Sequence, residues 1–312
     1  MSGKILILTD GKAGHENQSR AFARAMGYDC EILQVVFKSR LHKALSYLFD
    51  RLGIRCSCLF RPVPEPFDPA GPLPEPFRPV AVIGTGSGTF YAAKTLARQL
   101  DVKCGVVLYP RGYDIASFDC VLAPVFDNPR SAKNVITIPA NLVAADEAFY
   151  EKGVAAYRER TDVDPEVAVI IGGPNKCSTM TVEWMKAQLD GVFREPGAKA
   201  VTTSRRTPPE VEALVDSYPW DYRLLYSKDH FNPIPAFVKL AKRLYVTAES
   251  TGMLSESCTF GTAEVKALDN LNPGPHKFRR FVEGLREAGY LDGNRKVDLT
   301  EQFAAAKRLL GL

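Results

Sequence analysis

Ten residues near the start of the chain, Asp10-Gly11-Lys12-Ala13-Gly14-His15-Glu16-Asn17-Gln18-Ser19, hold two carboxylates, an ammonium, an imidazole and three amide or hydroxyl side chains. They follow the apolar run Lys4 to Thr9, which reads as a strand, and precede a helix expected over 17–26. In an open parallel sheet such a strand end faces free N–H groups and the positive end of the next helix, where ligands bind. Histidine titrates near working pH, so His15 is the candidate general base, with Asp10 or Glu16 as the orienting carboxylate. The plainer reading is a glycine turn in which Asn17 caps the helix and His15 hydrogen-bonds Asp10 only to shape the loop. The segment fits neither G-x-G-x-x-G nor G-x-x-x-x-G-K-[S/T], so neither a classical dinucleotide site nor a P-loop is expected.

Other strand ends carry similar material. Gly84-Thr85-Gly86-Ser87-Gly88 either offers amides to an acceptor or diphosphate, or only lets loop and helix approach closely. Tyr109-Pro110-Arg111 and Val125-Phe126-Asp127 close two further strands; Arg111 reads equally as a partner of Asp114, and Asp127 as a turn residue. Gly172-Gly173-Pro174-Asn175-Lys176 brings a cation suited to phosphate. In Thr202 to Glu210, Thr207 is a candidate N-cap, Pro208 and Pro209 suit the first helical turn, and Glu210 completes a capping box. Adjacent Arg205 and Arg206 are left over, and a bound anion would relieve their repulsion. In Thr247 to Ser257 a strand ends at Glu249, Ser250 or Thr251 caps a helix, and Glu256 is either a ribose-binding carboxylate or part of a solvated face. The four histidines (15, 42, 230, 276) lack metal-binding spacing, so no metal centre is expected. Cys177 has no adjacent histidine, and the absence of G-x-S-x-G lowers an α/β-hydrolase reading.

These loops need a scaffold, and the chain of 312 residues, 46% hydrophobic and 24% charged, is long enough for one large or two ordinary globular domains. Forty basic against 36 acidic side chains, net +4, neither demands nor excludes an anionic ligand and is too balanced for a nucleic-acid coat protein, so no nucleic-acid partner is expected. Seven scattered cysteines read as reduced thiols of a cytoplasmic protein. No apolar run reaches the roughly 18 residues of a membrane span, and Asp10 comes too early for a signal peptide.

The strands are apolar along most of their length, as in parallel sheets covered by helices on both faces. Residues 38–59 read as a helix with Leu41, Leu45, Leu48 and Leu52 on one stripe among Lys38, Arg40, Lys43, Arg51 and Arg55. That stripe faces either the core or an anionic membrane, to which it would recruit a lipid acceptor. Eight prolines between Arg61 and Pro79 read as a stiff connector. A second α/β series opens at Val167, with helices expected at 182–191, 208–217, 235–241 and 253–260. The expected architecture is two Rossmann-like domains, 1–155 and 156–292, facing a central cleft, with a terminal helix in 293–312.

The segments Leu8 to Ser19, Gly172 to Lys176, Thr202 to Glu210 and Val246 to Glu256 resemble the mitochondrial-fission "elongated mitochondria" family, which has many bacterial members. Tyr109-Pro110-Arg111, Asp127 and the run Lys277-Phe278 to Phe281 fall at matching places. The resemblance covers most of the chain. It implies a fold like that of the GT-B glycosyltransferases, with the acceptor on the first domain and a nucleotide-sugar on the second. Gly173, Lys176, Ser204, Arg205, Glu249, Ser250 and Glu256 then become donor-side candidates. The chain departs from the family pattern at Cys177, where histidine is common, and at Glu249, where aspartate is usual. The implied activity is sugar transfer to an acceptor, lipid-linked or of the cell envelope, with a nucleotide-sugar as donor substrate and no separate cofactor. The competing reading is a catalytically inactive nucleotide-sugar-binding or scaffold protein in membrane organisation. The protein is expected in the cytoplasm, with peripheral contact to the inner face of the membrane as an open extension. The plant mitochondrial role does not transfer, since nothing resembles a transit peptide, and the oligomeric state is left open.

Overall fold

The computed structural model describes residues 3–63 and 78–312 and divides into two α/β units. The first comprises the described residues up to Ile138 together with Leu299–Leu312, and the second is Pro139–Asp298. The division therefore falls at 138/139 rather than at 155. The reason is α4 (Glu147–Arg158), whose Tyr157 packs edge-on against Tyr222 and against Phe237 of α7 (Ile234–Leu240), with ring centroids 4.8 and 6.0 Å apart.

In the first unit the order is β1 (Lys4–Thr9), α1 (Ala13–Met26), β2 (Cys30–Phe37), α2 (Arg40–Arg51), β3 (Phe60–Val63), β4 (Pro79–Thr85), α3 (Phe90–Leu100), β5 (Lys103–Val107), β6 (Cys120–Pro124) and β7 (Val135–Ile138). The sheet runs β3-β2-β1-β4-β5-β6-β7, parallel except for β3, which pairs antiparallel at the edge. Ile5, Leu6, Ile7 and Leu8 are all buried, which explains why β1 shows no polar alternation. Of the proline-rich stretch, Pro62 sits in the edge strand and Pro79 opens β4, both positions where a missing N–H is tolerated. The rest of the expected connector lies outside the described residues. The sheet is completed by α10 (Thr300–Leu310), whose Phe303 meets Phe22 of α1 edge-on at 6.4 Å and whose buried Leu310 lies over Gly105 of β5.

Two helices differ from expectation. Helix α1 starts at Ala13, because Gly11 turns the chain with φ +80° and Lys12 takes the N-cap position, its carbonyl accepting from His15 and Glu16 N–H. Asn17 therefore lies inside the helix and caps nothing. Helix α2 is shorter than 38–59: Ser39 caps it by accepting from His42 N–H, and Gly53 at φ +70° follows its end. Beyond it Cys56 and Cys58 form a disulfide, so the expectation of seven reduced thiols fails at these two positions.

The second unit continues with β8 (Val167–Ile170), α5 (Val182–Val192), β9 (Lys199–Thr202), α6 (Pro209–Asp216), β10 (Tyr222–Leu224), α7, β11 (Arg243–Thr247), α8 (Thr251–Phe260), β12 (Glu264–Leu268) and α9 (Lys277–Glu287). Its sheet, β10-β9-β8-β11-β12, is parallel throughout. Strand order reverses between β1 and β4 in one unit and between β8 and β11 in the other. Loops leaving such a pair diverge and open a crevice at the carboxyl ends of the strands. Among the described residues no helix is long and apolar enough to cross a membrane.

Candidate functional site

At the β1/β4 crevice, His15 Nδ1 lies 2.9 Å from Asp10 Oδ1, and Lys12 Nζ lies 2.8 Å from Asp10 Oδ2. The Asp10 side chain is 10% exposed and that of His15 23%, so the pair is enclosed yet reachable. Partial burial is the largest single influence on the Asp10 carboxyl and would raise its pKa. The hydrogen bonds and charges of Lys12 and His15 outweigh it and hold the group below the usual carboxylate range. An ionised carboxylate only accepts, so it fixes the proton on Nδ1 and leaves Nε2 to take one.

The loop after β4 is shaped around this pair. A Cβ on Gly86 would lie 2.3 Å from His15 Cε1, and one on Gly88 would lie 2.6 Å from Asp10 Cβ. The glycines thus provide the close approach. Thr85 Oγ1 and Ser19 Oγ, 2.6 Å apart and buried, tie the loop to α1. Glu16 binds Arg20 one turn along the helix at 2.9 Å and is not brought to His15. Arg111 does not pair with Asp114: its guanidinium donates to the Asp127 carbonyl and lies 5.5 Å from the centre of the Tyr109 ring.

At the β8/β11 crevice the buried Glu249 side chain is occupied by the protein itself. Its Oε1 accepts from Gly173 N–H at 2.8 Å and from Thr247 Oγ1 at 3.0 Å, and its Oε2 accepts from Asn270 Nδ2 at 2.8 Å. Glu249 thus positions the loop after β8 and is not itself presented to a ligand. Gly173 must be glycine, because a Cβ would meet the Arg206 carbonyl at 2.1 Å. That contact joins the loop carrying Lys176 to the loop carrying Arg205. Asn175 folds the first loop by accepting from Cys177 N–H at 2.7 Å. Lys176 and Arg205 are exposed, and neither has a side-chain partner among the described residues.

Thr207 caps no helix. Its hydroxyl donates to the Gly172 carbonyl at 2.7 Å and accepts from Ser204 N–H at 2.9 Å, while Pro208 holds the N-cap position of α6 with no side-chain cap bond. The expected capping box with Glu210 is therefore absent; the threonine links the β8 and β9 loops instead. Ser204 Oγ accepts from Arg206 N–H at 3.3 Å. Ser250 is the N-cap of α8 and makes no side-chain cap bond, which leaves the amides of that helix start open.

Glu256 accepts from the Tyr150 hydroxyl at 2.9 Å, and burial raises its pKa despite that bond. A carboxyl whose folded pKa exceeds its unfolded value loses stability relative to the neutral form as pH rises above the unfolded value. Glu256→Gln is therefore expected to raise Tm at pH 8 by roughly 2 °C and to change it less near pH 4, a difference read by calorimetry.

A cavity of about 480 Å³ adjoins this crevice, lined by Ser204, Arg205, Thr207, Leu225, Tyr226 and Lys228 among others. It runs along α6 towards the edge strand β10 and shares only the β9 loop with the crevice. Tyr226, Lys228 and Asn270 were not singled out from the sequence, although the end of the run Tyr222 to Tyr226 marks two of them as strand-end residues. Among the described residues no three His, Cys, Asp or Glu side chains gather as metal ligands. Burial pushes the Cys120 and Cys258 thiols up to about 12.

Two Rossmann-like α/β units in one chain, each with polar loops at its switch point, define a GT-B-like fold. The chain belongs to the mitochondrial fission ELM1 family, whose model matches residues 13–309. Among solved structures it is similar to a Listeria monocytogenes protein assigned as a UDP-N-acetylglucosamine 2-epimerase, at TM-score 0.54 and 10% identity over 100% of this chain and 89% of that one. It is also similar to Arabidopsis thaliana UGT89C1 complexed with UDP, at TM-score 0.53 and 11% identity over 99% and 90% of the two chains. The UDP-L-rhamnose complex of the same plant protein gives 0.52 and 11%, over 98% and 89%. No curated protein matches the sequence.

Proposed function

We propose that the protein is a glycosyltransferase that moves a sugar from a nucleoside diphosphate to a hydroxyl of a lipid-linked or envelope acceptor. The observation that carries the reading is the Asp10–His15 pair, with Nδ1 held and Nε2 without a partner among the described residues, in a glycine-lined crevice. In the reaction the acceptor hydroxyl gives its proton to His15 Nε2 and its oxygen bonds to the anomeric carbon. The bond from that carbon to the diphosphate breaks, and the electron pair leaves on the diphosphate oxygen. Lys176, Arg205 and the open amides at Ser250 stabilise the departing charge, and Glu256 takes the ribose hydroxyls. Gly173, Ser204 and Glu249 shape the loops that present these groups. The UDP complexes among the similar structures favour a uridine nucleotide.

Calorimetry with UDP, GDP, ADP and CMP tests the donor half. UDP is expected to bind, and no binding of any of the four at millimolar concentration by folded protein sinks the proposal. Arg205→Ala should weaken UDP binding by about tenfold, the worth of one charge-assisted contact, with Tm unchanged because the side chain is exposed.

A further inference from the structure

Helix α2 carries apolar side chains on two sides. The side facing its own unit is mixed: Leu45, Tyr47 and Phe49 pack against the core, and between them Ser46 and Asp50 are buried, with Ser46 Oγ 2.9 Å from the Tyr113 hydroxyl. Asp50 takes the Lys94 ammonium at 2.8 Å and the Asp114 N–H at 2.6 Å, while the Arg55 guanidinium lies 3.3 Å away. Lys94 itself is buried and lies 3.9 Å over the Phe118 ring. A charge desolvated to this degree holds a helix in one register, because sliding would leave an unpaired ion inside. The outward side is apolar: Leu41 is 67% exposed, Leu48 51% and Leu52 63%, and Ile54 beyond the helix is also exposed. Of the leucine stripe only Leu45 packs partly against the core.

The charge carried by this segment has almost one sign. Between residues 32 and 63 there are six Lys or Arg and one acid, and that acid is Asp50, already neutralised inside. Lys38, Arg40 and Arg51 are exposed at the two ends of the apolar stripe. A leucine face rimmed by cations, with no exposed acid in the segment, fits a surface whose interior is apolar and whose boundary is anionic.

We infer that α2 docks the protein on an anionic lipid bilayer, with Leu41, Leu48, Leu52 and Ile54 entering the acyl boundary and Lys38, Arg40 and Arg51 meeting the headgroups. The docked helix also touches the acceptor-side crevice, since Lys43 Nζ donates to Ser87 Oγ of the Gly84–Gly88 loop at 3.0 Å. The inference stands without the transferase reading, because it rests on the surface of α2 alone.

The test is co-sedimentation of the full chain with vesicles of phosphatidylcholine plus phosphatidylglycerol, against phosphatidylcholine alone. The protein should bind the mixed vesicles and scarcely the neutral ones. The triple change Lys38→Glu, Arg40→Glu and Arg51→Glu should weaken binding by at least about 10²-fold, from roughly 1 kcal/mol per basic residue at such a surface. Leu48→Ser with Leu52→Ser should also abolish it, with Tm unchanged because both side chains are exposed. Equal, weak sedimentation with both vesicle types overturns the inference, as does binding that survives charge reversal. Concentration-dependent self-association without vesicle binding, lost in the leucine variant, assigns the face to a second copy and overturns it too.

Discussion

His15→Ala is expected to leave donor affinity within about twofold of the parent while lowering turnover by about 10²-fold or more, the usual worth of a positioned general base. The readout is UDP release from a UDP-sugar beside calorimetric UDP affinity. The split between the two follows from geometry: His15 stands in the first unit on α1, whereas Lys176, Arg205 and Ser250 stand at strand ends of the second. Lys176→Ala should reduce both affinity and turnover, because an ammonium near a diphosphate interacts with it before and during departure. Asp10→Asn should resemble His15→Ala in part, since an amide can turn its NH2 to Nδ1 and favour the wrong tautomer. Full turnover in His15→Ala would remove the imidazole from the mechanism.

Glu249→Ala should clearly destabilise the second unit. It strips the acceptor from three donors, Gly173 N–H, Thr247 Oγ1–H and Asn270 Nδ2–H, at a site where the carboxylate residue is only 3% exposed. Unpaired buried donors cost about 1–3 kcal/mol each, so a loss of roughly 3 kcal/mol is expected after partial relaxation. Glu249→Gln should be mild by comparison. Its Oε1 still accepts from Gly173 and Thr247, and turning over the Asn270 amide lets Asn270 Oδ1, which is buried without a partner, accept from the new Nε2–H. Denaturant melts of both variants decide this. If Gln proves as destabilising as Ala, the carboxylate charge rather than its acceptor geometry holds the loop.

The two-unit α/β architecture was legible because buried parallel strands are apolar on both faces: Val167 to Ile171 and Ile5 to Leu8 announce themselves without any partner. What escaped were contacts between segments distant in sequence. Glu249 looked like a ligand-facing acid because nothing local says that Gly173, 76 positions earlier, will claim it. Thr207 satisfies every local rule for a helix cap, but its oxygen accepts from Ser204 N–H instead of a helix amide, while its proton goes to the Gly172 carbonyl. The start of α1 was misplaced because Asn17 is the better cap by type, whereas the sharp turn at Gly11 commits the chain earlier. The leucine stripe of α2 showed its period plainly, but only the buried ions at Asp50 and Lys94 reveal which way it points.

Because α10 belongs to the first unit although it follows the second in sequence, the first unit stays unfinished while the second is being translated. Strands β5 to β7 wait for Leu310 and its neighbours until the second unit has been translated, so their uncovered apolar face is a natural landing place for chaperones on the ribosome. A fragment ending at Ile138 inherits that bare face permanently. Expressed alone it should aggregate, and supplying the α10 peptide in trans should rescue part of it.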